Sequence, residues 1–225
     1  MGLHEWLLQR GYKYEVTPEL HQWLSVYKGV SRDSANNWSS HFNVSNPVAV
    51  RAIAPNGTIG GVAGTTTGIE PVFGVAYKRR YLVGNRRKVQ YVIEHAAQDL
   101  INQYGIDPDN IDSASGLAED MERRLKFQAD VQDYVDMSIS STINLPEWGS
   151  EHNNEALVDN TARLVASYAH RLRGLTFYPN GARGGQPLTV VPYAEAKENI
   201  GKEFDENDFI TNDVCDITGS GYCGQ

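Results

Sequence analysis

The chain has 225 residues, 40% of them hydrophobic, and a formal net charge of −8, which suits one sizeable core or a large part of a bigger one. This charge argues against a general nucleic-acid binder, because neutralising phosphates needs clustered lysines and arginines. No apolar run approaches the roughly 20 residues that span a bilayer, and the first residues lack the basic and apolar regions of a signal peptide. We therefore expect a cytoplasmic protein without membrane attachment, whose two cysteines are redox-active or inert thiols rather than a structural disulfide.

The N-terminal part predicts two helices followed by extended chain. Apolar residues recur at helical spacing from Leu3 until Gly11, and Thr17 with Pro18 supplies the cap and first turn of a second helix. Residues 48–54 then have an extended, β-branched pattern. The following stretch, 60–74, is dense in glycine and threonine, which disfavours a regular helix and suits backbone that approaches something closely.

The remaining pattern alternates between helix and strand, which indicates an α/β fold. Helices are predicted at 88–104, 117–137 and 156–172, the last with Gly174 as its C-cap, and strands at 138–145 and 175–178. A turn-rich loop is expected at 107–115. Residues 187–225 are polar, acidic and poor in periodicity. We therefore predict one α/β unit over residues 1–186 and a flexible tail over 187–225.

Two basic clusters, Lys78–Arg80 and Arg86–Lys88, flank one short segment. The favoured interpretation is a solvated helix entry or a partner surface, and contact with a phosphate or nucleotide is the alternative.

Residues Pro55, Asn56, Gly57, Thr58 and Ile59 follow the extended segment. Successive backbone N–H groups in such a turn form a concave anion site, to which the Thr58 hydroxyl would add a donor. By itself the pattern equally fits an ordinary strand-to-loop turn, and it is not a P-loop because no Gly-Lys-Ser/Thr follows.

Three further features bear on chemistry. Glu70, between Ile69 and Pro71, is interpreted as a buried, hydrogen-bonded carboxylate that orders its loop. Cys215 and Cys223 are separated by a glycine-containing spacer, so they are either a thiol pair that shuttles electrons or two incidental thiols. No histidine pair has metal-ligand spacing with a carboxylate or thiol, so no metal site is expected.

Taken in order, five segments resemble the second half of the ribonucleotide reductase catalytic barrel. Residues 54–59 (Ala-Pro-Asn-Gly-Thr-Ile) resemble the family's Pro-Thr-Gly-Thr-Ile segment, and residues 68–71 resemble the Gly-Ile-Glu-Pro that follows it. Residues 138–146 resemble its Ser-Ile-Ser-x-Thr-x-Asn-x-Pro strand, and residues 174–183 resemble its Gly-x-Thr-x-Tyr stretch ending in Gly-Ser-Arg. The terminal cysteine pair completes the series. The fold implied is the C-terminal portion of a ten-stranded α/β barrel.

The resemblance implies a role for each candidate residue. Residues 55–59 would hold the phosphates of a ribonucleoside di- or triphosphate, and Tyr178 would lie on a barrel strand facing the radical cysteine's neighbourhood. Cys215 and Cys223 would re-reduce the active-site disulfide after each turnover and be recharged by a thioredoxin-like donor.

Two details resemble the adenosylcobalamin-dependent enzymes. One is the Gly-Thr-Ile sequence of the phosphate loop. The other is Pro179, which follows Tyr178 where the di-iron-dependent enzymes have a second tyrosine that relays the radical. Since proline carries no radical, that relay is broken here.

The chain also departs from the family pattern. The spacing of Cys215 and Cys223 is longer than usual, and the radical-generating cysteine with its Asn-x-Cys-x-Glu motif has no counterpart. The expected partner is therefore an N-terminal reductase chain, as in a split gene, although an artificial truncation fits equally. The alternatives are a non-catalytic nucleotide-binding or regulatory module and a non-functional remnant.

Overall fold

A computed structural model describes residues 1–181 and 187–205 of the chain. Its α-helices are α1 (Leu3–Gln9), α2 (Pro18–His41), α3 (Gly57–Ala63), α4 (His95–Tyr104), α5 (Met121–Gln132), α6 (Val158–Ala169) and α7 (Tyr193–Asn199). Its strands are β1 (Ala76–Val83), β2 (Arg86–Ile93), β3 (Thr142–Leu145), β4 (Thr176–Pro179), β5 (Leu188–Val190) and β6 (Glu203–Asp205). Short 3-10 turns precede α5 and α6.

Parallel pairing joins the segments that carry the predicted site. Strands β3 and β4 pair in parallel with α6 between them, which is a βαβ connection. A parallel bridge between Ile53 and Ile139 places residues 52–54 beside the chain that leads into β3. The predicted α/β character is therefore confirmed. The described residues do not form a closed ten-stranded barrel, because their parallel pairing stops at residues 52–54 on one side and at β4 on the other.

A separate antiparallel sheet has the strand order β5-β1-β2-β6. The prediction of a helix at 88–104 is wrong for residues 88–93, which belong to β2, and correct for residues 95–104, which form α4. Val89, Tyr91 and Ile93 are buried while the residues between them are not, so the true period is two. Gly84 turns the β1–β2 hairpin at φ 59°, a conformation that favours glycine.

The structure also differs from the prediction at residues 187–205, which were expected to begin a flexible tail. Residues 188–205 form β5, α7 and β6, and they pair with both outer edges of the hairpin. Ala196 of α7 is fully buried against this sheet. The prediction failed because short strands gain their stability from the partner strand rather than from their own sequence. The part of the predicted tail from residue 206 onward lies outside the described residues.

Other local predictions had mixed outcomes. The cap of α2 is confirmed, since the Thr17 side chain accepts a hydrogen bond from the Leu20 amide at 3.2 Å. A helix also forms at Gly57–Ala63 despite its glycines, which the composition did not predict. The helix predicted at 117–137 corresponds to α5, which is shorter. Asp120 caps its N-terminus, because the Asp120 carboxylate accepts the Arg123 amide proton. Gly174 is not a C-cap, because α6 ends at Ala169.

The main core lies between α1, α2 and α5. It contains Leu7, Leu20, Ile69, Phe127 and Val131, with Tyr14 stacked on Phe127 at 3.9 Å between ring centroids. His4 is also fully buried here, and its Nδ1 accepts the Val72 amide proton at 3.0 Å. Burial is the main cause that lowers the pKa of His4 to about 3.

The buried histidine predicts acid sensitivity of the fold. The pKa of His4 is below the value of 6.5 expected in the unfolded chain, so protonation of the imidazole favours unfolding. The free energy of unfolding therefore decreases as pH falls below about 6.5. The expected loss approaches about 1.4 kcal/mol per pH unit. Urea unfolding at pH 7.5, 6.5 and 5.5 should show a flatter dependence for His4→Gln. The exposed His95→Gln is the control, and identical curves for His4→Gln and the unmodified chain would contradict the prediction.

Candidate functional site

A cavity of about 500 Å³ lies where the parallel segments meet the antiparallel sheet. Its wall combines residues 54–57 at the start of α3, the stretch 65–73, the β3 side chains and the base of the β1–β2 hairpin. The volume falls in the range that holds ligands of metabolite size.

The first turn of α3 supplies unpaired donors at this cavity. Among the described residues, the backbone amides of Gly57, Thr58 and Ile59 meet no acceptor, as expected for the first turn of a helix. Gly57 lines the cavity, and all three residues are exposed rather than packed into the interior. Such amides are suited to a negatively charged oxygen.

The loop after α3 closes tightly against the loop before it. The Asn56 side-chain oxygen accepts the Gly68 amide proton at 2.9 Å, which joins the two ends of the segment. At Gly60 an added Cβ would lie 2.8 Å from the Thr67 side chain, so the close approach requires glycine. The glycine and threonine content of residues 60–74 thus reflects close backbone packing, as the composition indicated.

Glu70 lines the cavity, and its carboxylate is held in place by contacts with Thr142 and Arg124. One of its oxygens accepts the Thr142 amide proton at 2.7 Å, and the other faces the Arg124 guanidinium at 3.4 Å. Burial raises the pKa of Glu70, against the lowering effect of Arg124 and the Thr142 hydrogen bond. Glu70 is therefore a hydrogen-bonded, mostly buried carboxylate that orders the loop, as the sequence indicated.

Arg124 connects this carboxylate to the core. Its side chain is 2% exposed, and its guanidinium also donates to the Thr142 carbonyl at 2.8 Å and to the Tyr14 hydroxyl at 2.6 Å. The Tyr14 hydroxyl in turn donates to the Ile69 carbonyl at 2.5 Å. Burial raises the pKa of Tyr14, so it stays a neutral donor.

A second acidic group lies on the hairpin side of the cavity. Tyr77 and Glu94 both line it, and the Tyr77 hydroxyl donates to Glu94 at 3.2 Å. Burial raises the pKa of both groups, so Glu94 takes up a proton more readily than an exposed carboxylate. The sequence does not reveal this pair, because only the β1–β2 hairpin brings residues 77 and 94 together.

Tyr178 lies on the strand face that borders the cavity. In the parallel register Tyr178 pairs with Asn144 and Thr176 pairs with Thr142. Because side chains alternate along a strand, Tyr178 lies on the same face as Asn144 and Thr142, which line the cavity.

The other predicted site residues are distributed as follows. Pro55, Asn56 and Gly57 line the cavity, whereas Thr58 and Ile59 lie next to it on the exposed side of α3. Cys215 and Cys223 lie outside the described residues. Their role, like that of residues 55–59 and Tyr178, stays a prediction.

The described residues hold no cluster of metal ligands and no membrane-spanning helix. No group of three or more histidine, cysteine, aspartate or glutamate side chains there is placed to hold a metal ion. Within residues 1–181 and 187–205, none of the helices has the length and apolar character needed to cross a membrane.

Comparison with known proteins defines the class of this fold. Residues 43–178, more than half of the chain, match the family model described as ribonucleotide reductase, barrel domain. The chain belongs to this family and is homologous to the large subunit of B12-dependent reductases.

Particular relatives agree with this assignment. The chain is 31% identical over 167 residues to a vitamin B12-dependent ribonucleoside-diphosphate reductase of Mycobacterium tuberculosis strain H37Rv, covering 66% of this chain and 22% of that protein. It is 30% identical over 159 residues to the protein of the same name from strain CDC 1551, covering 62% of this chain and 22% of that protein. A crystal structure of a B12-dependent (class II) ribonucleotide reductase superposes with a TM-score of 0.60 at 15% identity, over 88% of this chain and 31% of that one. The chain thus spans less than a third of the length of these relatives.

The buried ion pair behind the cavity predicts a large stability effect. Arg124→Ala would leave Glu70 without its counter-charge and the Thr142 carbonyl without its donor, so we expect a loss of about 3–5 kcal/mol in the free energy of unfolding. Lys126→Ala, in the same helix and 63% exposed, should change it by less than about 1 kcal/mol. Urea unfolding measures both, and equal effects would show that Arg124 does not organise the site.

Proposed function

We propose that this chain is part of a ribonucleotide reductase that converts ribonucleotides to 2'-deoxyribonucleotides by radical chemistry, and that it supplies the substrate's phosphate site. The observation that carries the proposal is the cavity bordered by the unpaired amides of Gly57–Ile59 in a chain that belongs to the reductase barrel family. In this proposal the amides and the Thr58 hydroxyl bind the phosphates, so the ribose extends toward Glu70, Asn144 and Tyr178.

The proposed role of the cysteines is thiol–disulfide exchange. Each reduction of ribose oxidises two active-site thiols to a disulfide. One tail thiolate, from Cys215 or Cys223, would attack that disulfide, and the other would resolve the mixed disulfide, leaving the active site reduced and the tail oxidised. A thioredoxin-like dithiol would then reduce the tail.

Adenosylcobalamin, the cofactor named for the relatives as vitamin B12, would supply the radical. The described residues alone do not fit this group, because the cavity of about 500 Å³ suits a nucleotide and is too small for a corrin with its appended nucleotide. We therefore propose that an N-terminal reductase chain binds the cofactor and provides the radical cysteine.

A second candidate function is a nucleotide-binding or regulatory module without catalysis. The observation that favours it is the cysteine count, since Cys215 and Cys223 are the only two in the chain and no cysteine remains for a thiyl radical. It predicts that ribonucleotide binding by the isolated chain is unaffected by Cys215→Ser.

The phosphate site is tested by Thr58→Ala. A hydrogen bond to a charged group contributes about 1.5–3 kcal/mol, so we expect the Kd for a ribonucleoside diphosphate or triphosphate to rise at least tenfold. Calorimetric titration measures it, with Val62→Ala, an 87% exposed position on the same helix, as the control. An unchanged Kd for Thr58→Ala would contradict the assignment.

The catalytic proposal is tested by mixing the chain with the product of its neighbouring reading frame, adenosylcobalamin, thioredoxin with its reductase, and ribonucleotide. We expect deoxyribonucleotide over many turnovers. The Cys215→Ser variant should stop after about one turnover, because the first reduction uses the active-site thiols. Adding a small dithiol should restore further turnovers by this variant. Ser220→Ala is the control. Absence of product with every ribonucleotide would exclude the catalytic role, and normal multiple turnover by Cys215→Ser would exclude the tail's role.

A further inference from the structure

The β1–β2 hairpin concentrates positive charge in an otherwise acidic chain. Residues 76–93 contain no aspartate or glutamate and six basic side chains, which are Lys78, Arg79, Arg80, Arg86, Arg87 and Lys88. Leu82 and Val83 lie between the two basic clusters and are 69% and 55% exposed. Arg79 and Arg86 are also exposed, and among the described residues neither has a carboxylate partner. The hairpin end, residues 79–88, is therefore a cationic surface with an apolar centre, which fits an acidic segment that also carries apolar side chains.

Acidic side chains from the C-terminal part of the chain already contact this hairpin. The Lys78 ammonium lies 3.4 Å from the Glu195 carboxylate, and the Lys88 ammonium lies 3.2 Å from the Asp205 carboxylate. Each basic cluster thus has one carboxylate from residues 188–205 beside it. An exposed ion pair contributes at most about 1 kcal/mol, so a stable contact of this kind needs several pairs that act together.

Strand β6 directs the chain that follows it toward the hairpin end. It runs antiparallel to β2, and its last residue, Asp205, lies opposite Lys88. Because each step forward along β6 is a step back along β2, a continuation of this register brings residue 206 opposite Arg87. The segment after β6 therefore starts at the cationic surface.

The sequence of that segment has the complementary composition. Residues 206–216 contain no lysine or arginine and four acidic side chains, which are Glu206, Asp208, Asp213 and Asp216. The apolar residues Phe209, Ile210 and Val214 stand among them. The segment thus combines the charge opposite to that of the hairpin end with apolar side chains that can cover its exposed centre.

From these observations we propose that the hairpin end is an intramolecular docking site for the acidic segment at residues 206–216. The carboxylates of the segment pair with the arginines of the two basic clusters, and its apolar side chains cover Leu82 and Val83. Because β6 tethers the segment one residue away from Arg87, its effective concentration at this surface is on the order of millimolar, so individually weak pairs suffice.

Docking at this surface holds Cys215 away from the candidate site. Tyr77 and Glu94 line the cavity at the base of the hairpin, whereas Asn85 lies in its turn, roughly 30 Å from Glu94 along an extended strand. When residues up to Asp208 lie along the hairpin, the rest of the chain to Cys215 spans at most about 25 Å. Cys215 therefore reaches the cavity only after the segment leaves the hairpin end. This consequence rests on the proposed function of the cysteines, whereas the docking itself does not.

The test uses the full chain with Cys223→Ser, which leaves Cys215 as the single thiol for a nitroxide spin label. Electron paramagnetic resonance measures the rotational motion of this label. We expect slow motion in the chain without further changes. The double substitution Arg86→Glu with Arg87→Glu should shorten the rotational correlation time at least threefold, because attraction of the acidic segment is replaced by repulsion.

Two controls separate docking by charge from a general effect of the substitutions. Arg163→Glu with Arg173→Glu, at exposed positions outside the hairpin, changes the net charge equally and should leave the label's motion unchanged. Exchanging the charges again, by Glu206→Arg with Asp208→Arg in the Arg86→Glu, Arg87→Glu chain, should restore the slow motion.

Salt provides a readout that needs no substitution in the hairpin. Raising NaCl from 0.1 M to 1 M shortens the Debye length from about 10 Å to about 3 Å, so the label should become as mobile as in the charge-reversed variant. A label that is equally mobile with and without the Arg86 and Arg87 substitutions would overturn the proposal, and so would slow motion that salt leaves unchanged. Motion that slows as protein concentration rises would also overturn it, since the segment would then dock on a second copy.

The outcome is separable from that of the proposed function, because the label's motion is measured without nucleotide, cofactor or partner chain. A label whose motion ignores the hairpin charges would contradict the docking site alone. Absence of deoxyribonucleotide in the reconstituted reaction would contradict the catalytic role alone.

Discussion

The buried contact between Arg124 and the segment at residues 69–72 is the interaction on which the candidate site depends. This segment has little regular structure, so its backbone position is set by side chains from elsewhere. Arg124 faces Glu70, Tyr14 donates to the Ile69 carbonyl, and His4 accepts the Val72 amide proton. Because a buried charge without its partner is strongly unfavourable, the guanidinium and carboxylate keep the loop in one place.

The same contact links the loop to the parallel strands. Glu70 accepts the amide proton of Thr142 at the start of β3, and Arg124 donates to the carbonyl of that residue. The β3 side chains on the cavity face are therefore fixed relative to the glycine-rich segment after α3. The site keeps its shape because its support comes from this hydrogen-bonded network and from the aromatic core behind it.

Two features of the described part of the chain are unusual for an isolated domain. Among residues 1–181 and 187–205, the parallel strands end in an open edge at residues 52–54, and a groove beside that edge is lined by the exposed rings of Trp23 and Tyr27. Both are unfavourable in an isolated domain, because unpaired strand edges and apolar patches promote association.

Sequence and structure contributed differently to these conclusions. The α/β character, the capped start of α2, the glycine-dependent loop and the structural role of Glu70 follow from local chemistry, so the sequence alone predicted them. The ordered motifs also identified the family. By contrast, β2 was mistaken for helix, and β5, α7 and β6 were taken for tail. Their stability comes from cross-strand partners distant in sequence, which local propensity does not reveal. Tertiary structure alone brought Tyr77 to Glu94 and Arg124 to Glu70, since each contact depends on which distant segments lie side by side.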